Sequence, residues 1–104
     1  MIIQFNADNN LTVHEEFNNK LTKHITDKLK RFSEQITRIE VHLSDINGSK
    51  QGQDDKKCLL EARLENRQPV AVNAIGKTYE VAVDDAVDKL RSMLDTIIGR
   101  LQNY

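Results

Sequence analysis

Strict alternation of apolar and polar residues in one segment, Arg38–Asp45, constrains the fold of this chain more than any other feature. The alternating apolar and polar positions are Ile39, Val41 and Leu43 against Arg38, Glu40 and His42. Successive side chains leave opposite sides of an extended backbone, so the segment predicts a strand with one dry face and one wet face. The wet face carries both signs of charge and a histidine, and we interpret it as a candidate working surface.

Three other segments alternate in the same way and predict three more strands. Their dry-face residues are Ile3, Phe5 and Ala7 in the first strand, Cys58, Leu60, Ala62 and Leu64 in the third, and Val70, Val72 and Ala74 in the fourth. Asn66-Arg67-Gln68 predicts a tight connection before the fourth strand, and Ile75-Gly76-Lys77 is expected to end it. The polar run from Ile46 to Lys57 predicts a long loop between the second and third strands.

Two segments repeat their apolar residues every three or four positions, which is the spacing of one face of an α-helix. The first stripe consists of Val13, Phe17, Leu21, Ile25, Leu29, Phe32 and Ile36. The second stripe consists of Tyr79, Val83, Ala86, Val87, Leu90, Leu94, Ile97 and Leu101. Thr12 followed by Glu15 predicts a capping box at the start of the first helix, and Thr78 is expected to cap the second.

The predicted order of elements is β-α-β-β-β-α, which favours the α+β class. Each strand has one apolar face, so the two amphipathic helices can both bury their stripes only on the same side of a four-stranded sheet. We expect the second, third and fourth strands to pair as an antiparallel meander, with the first strand added at one side. The expected architecture is a two-layer sandwich, similar in outline to double-stranded-RNA-binding domains, whose other sheet face is open to water.

Length and composition limit the class of protein. The 104 residues suffice for one domain spanning residues 1–104. No apolar run is long enough to span a membrane, and no charged-then-apolar leader is visible. The single cysteine, Cys58, excludes an internal disulfide and fits a reducing compartment, so we expect a cytoplasmic protein. The net charge of −1 does not by itself favour nucleic acid as a partner.

Basic residues of the first helix are candidates for RNA contact. At about 100° per residue, four of them share roughly a third of the helix circumference, away from the apolar stripe, and a fifth lies nearer its margin. They are Lys20, Lys23, Lys30 and Arg31, with Lys28 as the fifth. Cations spaced along a rigid helix suit successive phosphates. The alternative is a solvated helix face with ordinary ion pairs, since Asp27 and Glu34 lie in the same arc.

The open face of the predicted sheet is a second candidate surface. It is expected to show Gln4, Asn6, Arg38, Glu40, His42, Glu61, Arg63 and Asn73. Arg38 and Arg63 could contact phosphates or stack on bases, but no aromatic residue falls on this face, so base-specific readout is not expected. The alternative is ion pairing of these arginines across strands with Glu40, Glu61 or Glu65.

No residue pattern favours catalysis, a cofactor or a metal. His14, His24 and His42 are far apart and lack the close spacing of zinc ligands. Cys58 lies on a dry strand face and is expected to be a small buried residue, not a nucleophile. Asp54-Asp55 falls in the predicted loop, where fixed acid–base geometry is not expected. We therefore expect a protein that is not an enzyme and binds neither a cofactor nor a metal.

Five short motifs occur in an order and spacing that match a known family. They are Arg31-Phe32, Thr37–Asp45, Lys57–Leu64, Gln68–Val72 and Ala86–Leu90. Across essentially its whole length, the chain resembles a short form of the ribosome hibernation-promoting factors and ribosome-associated translation inhibitors, also called sigma-54 modulation proteins. The resemblance implies a bacterial protein that docks on the small ribosomal subunit, occupies the channel for messenger and transfer RNA, and silences ribosomes in stress or stationary phase.

The resemblance also implies a set of RNA contacts and an oligomeric state. Long members of the family add a C-terminal dimerisation domain, which we expect this chain to lack, and we expect a monomer off the ribosome. The residues expected to contact ribosomal RNA come from the first helix, the sheet face and the second helix: Lys20, Lys23, Lys28, Lys30, Arg31, Arg38, Arg63, Lys89, Arg91 and Arg100.

The second helix departs from the family pattern. Better-known short members have a last helix rich in lysine and arginine, whereas here the basic residues are accompanied by Asp84, Asp85, Asp88 and Asp95. This acidic set supports an alternative function, in which the chain is a protein-binding adaptor of the same fold with weak or no RNA binding. A plain double-stranded-RNA module is a third interpretation, because its order of helices and strands overlaps with this one.

Overall fold

One sheet and a pair of helices account for the part of the chain that the structure, a computed structural model, describes: residues 1–7, 15–46 and 56–102. Within these residues the strands are β1 (Ile2–Ala7), β2 (Ile36–Asp45), β3 (Lys56–Leu64) and β4 (Val70–Gly76). The helices are α1 (Glu15–Leu29) and α2 (Tyr79–Gln102), and a short 3₁₀ helix (Lys30–Phe32) follows α1. The order β-α-β-β-β-α confirms the prediction.

The strands are arranged in the sheet in chain order, β1-β2-β3-β4. β1 pairs in parallel with β2, as the α1 crossover between them allows, and β2, β3 and β4 form the predicted antiparallel meander. The tight connection between β3 and β4 has Asn66 in the left-handed region, with φ of 62°. Asparagine is among the residues that tolerate this conformation, so a short turn can form without a glycine.

The core lies on one face of the sheet, under α1 and α2. Val41 and Leu60 are fully buried on the sheet side, and Ile25 and Leu90 are fully buried on the helix side. Burying a side chain of this size contributes about 1.5–3 kcal/mol, so the predicted apolar stripes are the main stabilising feature. Phe17 and Ile97 lie at the margin of the core and are partly buried.

The structure corrects the predicted end of the first helix. α1 ends at Leu29, the chain tightens into the 3₁₀ helix, and Ile36 is the first residue of β2. Ile36 is buried and pairs with Leu64, with a shift of register before Arg38. Ile36 continues the helical spacing from Phe32 and also precedes an alternating strand. Periodicity alone therefore does not decide to which element it belongs.

The structure also corrects the predicted end of the fourth strand, which continues through Ile75 and Gly76. Gly76 is buried, and a Cβ atom at this position would lie 2.8 Å from Val81 Cγ1. The glycine therefore marks a close approach between the end of β4 and the start of α2, not a break in the strand.

The start of α2 confirms the predicted N-cap. The Val81 amide donates a hydrogen bond to Thr78 Oγ1 at 3.1 Å, and Ala82 N donates to Thr78 O at 3.0 Å. Ala82 and Ile98 add to the buried face beyond the predicted stripe. Of the predicted loop from Ile46 to Lys57, the last two residues belong to β3 and residues 47–55 lie outside the described residues. Thr12 of the predicted capping box, Val13 and the side chain of Leu101 also lie outside the described residues.

Among the described residues, no helix is both long enough and apolar enough to cross a membrane.

Candidate nucleic-acid interface

A row of basic side chains on α1 and the 3₁₀ helix faces α2 across the seam between the helices. Its members are spaced four, four and three residues apart, as one helix face requires: Lys20, His24, Lys28 and Arg31. The side chains that oppose them on α2 are acidic: Glu80, Asp84, Asp88 and Asp95. We refer to these eight residues as the interhelical charge ladder.

The first contacts of the ladder lie near the start of α2. Lys20 Nζ lies 3.0 Å from Glu80 Oε2, with both side chains more than half exposed. His24 Nε2 lies 2.7 Å from Asp84 Oδ1. In each pair the two residues are 60 positions apart in the sequence, so α1 and α2 run in the same direction along the seam.

The middle of the ladder is a shared contact. Lys28 Nζ donates to Asp84 Oδ1 at 3.0 Å and to Asp88 Oδ1 at 2.7 Å. The Lys28 side chain is 28% exposed, which makes it the most buried cation of the ladder. Beyond it, Arg31 pairs with Asp95 and stacks over the Phe32 ring at 4.6 Å from the centroid.

The ladder shifts the protonation equilibria of its central residues toward the charged forms. Hydrogen bonds from Lys28 and His24 lower the pKa of the Asp84 carboxyl below its usual value of 3.8. Hydrogen bonds to Asp88 and Asp84 raise the pKa of the Lys28 ammonium above 10.5. Lys28 and Asp84 are therefore held in their charged forms at neutral pH, and their attraction joins α1 to α2.

Two residues of the predicted arc of cations, Lys20 and Arg31, are exposed but already paired with carboxylates of α2. A helical wheel gives the angle from the apolar stripe, but it does not show that α2 packs beside α1 and lines part of that arc. Within the described residues, the ladder cations Lys20, Lys28 and Arg31 are opposed by carboxylates, so the seam is not an electropositive surface.

Lys23 of α1 and Lys30, the first residue of the 3₁₀ helix, are exposed. Neither takes part in an ion pair within the described part of the chain. They are seven residues apart, which places them about 10 Å apart along the helix axis. Asp27, also exposed, lies between them and reduces the local positive potential.

A groove of about 530 Å³ opens beside the ladder, between the middle of α1 and the start of α2. Its walls carry both signs of charge, including Lys23, Asp27 and Glu80, around the half-exposed side chain of Val81. Mixed charge of this kind does not favour a phosphate in the groove.

The open face of the sheet carries the predicted side chains in two charged rows. Arg38 of β2 stands directly opposite Arg63 of β3, and in the next row Glu40 stands directly opposite Glu61. Arg38 Nη2 lies 3.8 Å from Glu40 Oε1, a contact along one strand. The alternative of ion pairing by these arginines holds in part: Arg38 pairs with Glu40 along β2, whereas across the strands the register places like charges opposite each other.

The remaining basic residues of the predicted interface are dispersed. Lys89 Nζ donates to the Asn73 carbonyl oxygen at 2.8 Å and so joins α2 to β4. Arg91 is exposed on α2 and has no ion pair within the described residues. The side chain of Arg100 lies outside the described residues. The predicted set thus divides into ladder cations, a sheet pair and separate exposed residues.

The sequence of the chain matches a known family. Residues 3–102 match the family model for sigma 54 modulation protein / S30EA ribosomal protein. The chain belongs to this family. The matched range includes the ladder, the open sheet face and both predicted groups of cations, so the family match confirms the resemblance seen in the sequence motifs.

Solved structures of similar proteins confirm the fold of this sigma 54 modulation family member. The crystal structure of the N-terminal domain of Protein Y from Thermus thermophilus is 21% identical with a TM-score of 0.71, covering 92% of this chain and 98% of the other. A ribosomal subunit interface protein from Coxiella burnetii is 17% identical with a TM-score of 0.67, covering 95% of this chain and 99% of the other. None of the curated proteins matches the chain.

Cys58 confirms the prediction of a buried residue. Its side chain is inaccessible to solvent, and desolvation raises the pKa of the thiol to about 12. A thiol that stays protonated at neutral pH is a poor nucleophile and a poor metal ligand.

The sequence contained a signal for the ladder that periodicity of apolar residues alone does not reveal. Lys20, His24 and Lys28 recur every four residues, and Glu80, Asp84 and Asp88 recur with the same spacing 60 positions later. Matching stripes of opposite charge on two helices that share one sheet face predict that the stripes meet. Treated separately, they indicate an RNA surface on one helix and a protein surface on the other.

Proposed function

We propose that this protein binds the small ribosomal subunit in the cytoplasm, occupies the channel for messenger and transfer RNA, and so inhibits translation under stress or in stationary phase. The observation that carries the proposal is membership of the sigma 54 modulation protein / S30EA ribosomal protein family over residues 3–102. The similar fold of a ribosomal subunit interface protein from Coxiella burnetii supports it. Inhibition would be steric, with no bond made or broken.

The contacts with ribosomal RNA come mainly from cations outside the ladder. Lys23 is exposed on α1 at the edge of the groove, Lys30 is exposed on the 3₁₀ helix, and Arg91 is exposed on α2. Arg63 is exposed on the sheet beside Arg38. These side chains can neutralise phosphates without first breaking an internal ion pair, whereas contacts by Lys20, Lys28 or Arg31 compete with carboxylates already in place.

Cosedimentation with purified small subunits at low and raised salt tests this proposal. The protein should pellet with small subunits at low salt, and its affinity should fall as salt rises because phosphate contacts release counterions. The double variant Lys23→Glu/Lys30→Glu should bind more weakly and with a smaller salt dependence. The control is Arg67→Glu, which changes charge at an exposed turn residue outside the proposed surface.

Absence of cosedimentation at low salt would contradict the proposal. Occupation of the channel is tested separately, by asking whether saturating protein displaces transfer RNA from small subunits in a filter-binding assay. Binding without displacement would leave ribosome association in place and reject occlusion. Size-exclusion chromatography tests whether the free protein is a monomer, as proposed.

The alternative function, a protein-binding adaptor, was based on the acidic residues of α2, and most of these are already paired within the fold. Asp84, Asp88 and Asp95 are engaged by cations of α1 and the 3₁₀ helix, which leaves Asp85 as the member of that acidic set without an ion pair among the described residues. Aspartates already paired within the fold offer less charge to a protein partner. The remaining alternative is a general double-stranded-RNA module. It is tested by measuring whether duplex RNA competes with small subunits for binding to the protein.

A further inference from the structure

We propose that the open face of the sheet holds a divalent transition-metal site formed by Glu40, His42 and Glu61. Glu40 and His42 are two residues apart on β2, so both point to the open face, and Glu61 stands opposite Glu40 on β3. One ligand atom from each side chain can be chosen so that all three lie within 4.8 Å of one another. The site is distinct from the cations proposed to contact RNA.

The spacing of these atoms suits a metal with short bonds. Zinc binds imidazole nitrogen and carboxylate oxygen at about 2.0–2.2 Å, which in a tetrahedron separates neighbouring ligand atoms by roughly 3.4 Å. His42 Nε2 lies 3.4 Å from Glu61 Oε1. Small side-chain rotations would bring the Glu40 carboxylate into the same coordination sphere, with water completing it.

The second observation concerns one atom of His42, a side chain that is 36% exposed as a whole. His42 Nε2 is shielded from solvent and, within the described part of the chain, has no hydrogen-bond partner; its contact with Glu61 lacks hydrogen-bond geometry. A shielded polar atom of this kind calls for a partner. A metal ion supplies one, because the lone pair of a neutral imidazole is a good ligand for first-row transition metals.

The charges of these side chains also favour a bound metal ion. Glu40 and Glu61 are like charges directly opposite each other, an arrangement that destabilises an antiparallel pair. The Glu40 side chain is only 18% exposed, which limits screening by water. Arg38 offsets part of this repulsion, but its Nη2 atom remains 3.8 Å from Glu40 Oε1. A dication between the carboxylates would remove the repulsion more completely.

Ligand chemistry selects the class of metal. One imidazole and two carboxylates suit Zn²⁺ and neighbouring transition metals, whereas Mg²⁺ and Ca²⁺ prefer sets made of oxygen alone. The other acidic cluster of the described residues, Asp84, Asp85 and Asp88, does not support the same inference. Lys28 donates to two of its carboxylates and already supplies the positive charge there.

Titration calorimetry of chelator-treated protein with Zn²⁺ tests the site. We expect the wild type to bind one equivalent more than His42→Gln, or to bind it at least about tenfold more tightly, because loss of a ligand should cost at least as much as loss of an outer-shell partner. His24→Gln is the matched control and should bind like the wild type. Arg38→Gln should bind Zn²⁺ more tightly, since Arg38 competes for the Glu40 carboxylate.

Glu61→Gln separates a metal site from a structural role. Removing one of the opposed charges should leave the metal-free protein at least as heat-stable as the wild type, while the increase in melting temperature caused by Zn²⁺ is lost. The proposal is overturned if the wild type does not bind Zn²⁺, or if His42→Gln binds it as tightly as the wild type. It is also overturned if Mg²⁺ binds the same site as tightly as Zn²⁺. None of these measurements involves the ribosome.

Discussion

Replacement of Asp84 by asparagine tests whether the charge ladder stabilises the fold. Asp84 Oδ1 lies 2.7 Å from His24 Nε2 and 3.0 Å from Lys28 Nζ, and its side chain is 43% exposed. Exposed ion pairs contribute about 0.2–1 kcal/mol each. Lys28 keeps its contact with Asp88, so we expect Asp84→Asn to lower the free energy of unfolding by about 1 kcal/mol.

That loss should lower the melting temperature by about 4–8 °C in a domain of this size, measured by circular dichroism. Asp85→Asn is the matched control, because Asp85 is the exposed neighbour on α2 and has no ion pair within the described residues. The difference between the two variants should shrink in 1 M salt, where the Debye length falls to about 3 Å.

The stabilising effect of Asp84 should depend on pH. The Asp84 pKa is lowered in the folded protein, chiefly by the hydrogen bond from Lys28, so its stabilising effect is present above the ordinary value of 3.8. It is lost as the pH falls below that value through the folded-state pKa. The stability gap between wild type and Asp84→Asn should therefore persist at pH 5 and close in stronger acid. Equal effects of Asp84→Asn and Asp85→Asn, or a gap unchanged by acid, would refute this account of the ladder.

Further variants test the core, the helix cap and the buried thiol. Leu43→Ala, at a fully buried position, should lower the free energy of unfolding by about 2–5 kcal/mol in urea denaturation. Thr78→Ala should lower it by about 1 kcal/mol, because the Val81 amide loses its acceptor. In the native protein, Cys58 should react with a thiol reagent at pH 8 far more slowly than after denaturation, since burial raises its pKa to about 12. Rapid reaction of the folded protein would contradict this.

The alternation of Ile39, Val41 and Leu43 was sufficient to predict a strand and its buried side, because side-chain direction in a strand depends on the backbone alone. The apolar stripe through Leu21, Ile25 and Leu29 predicted α1 because side-chain direction in a helix also depends on the backbone alone. Periodicity alone did not locate every element boundary. Ile36 satisfies both the helical and the strand pattern, and its assignment to β2 depends on pairing with Leu64, a contact between distant parts of the sequence.

The sequence by itself determined the order of the elements, the single helix-covered face and most of the residues buried under it, because these depend on local periodicity. The tertiary structure alone decided which charges meet. Lys28 lies between Asp84 and Asp88, 56 and 60 residues away, and Glu61 stands opposite Glu40 because of the strand register. Electrostatic energy depends on distance in space, so the same lysine is a phosphate contact on an isolated helix and an internal ion pair once α2 packs beside it.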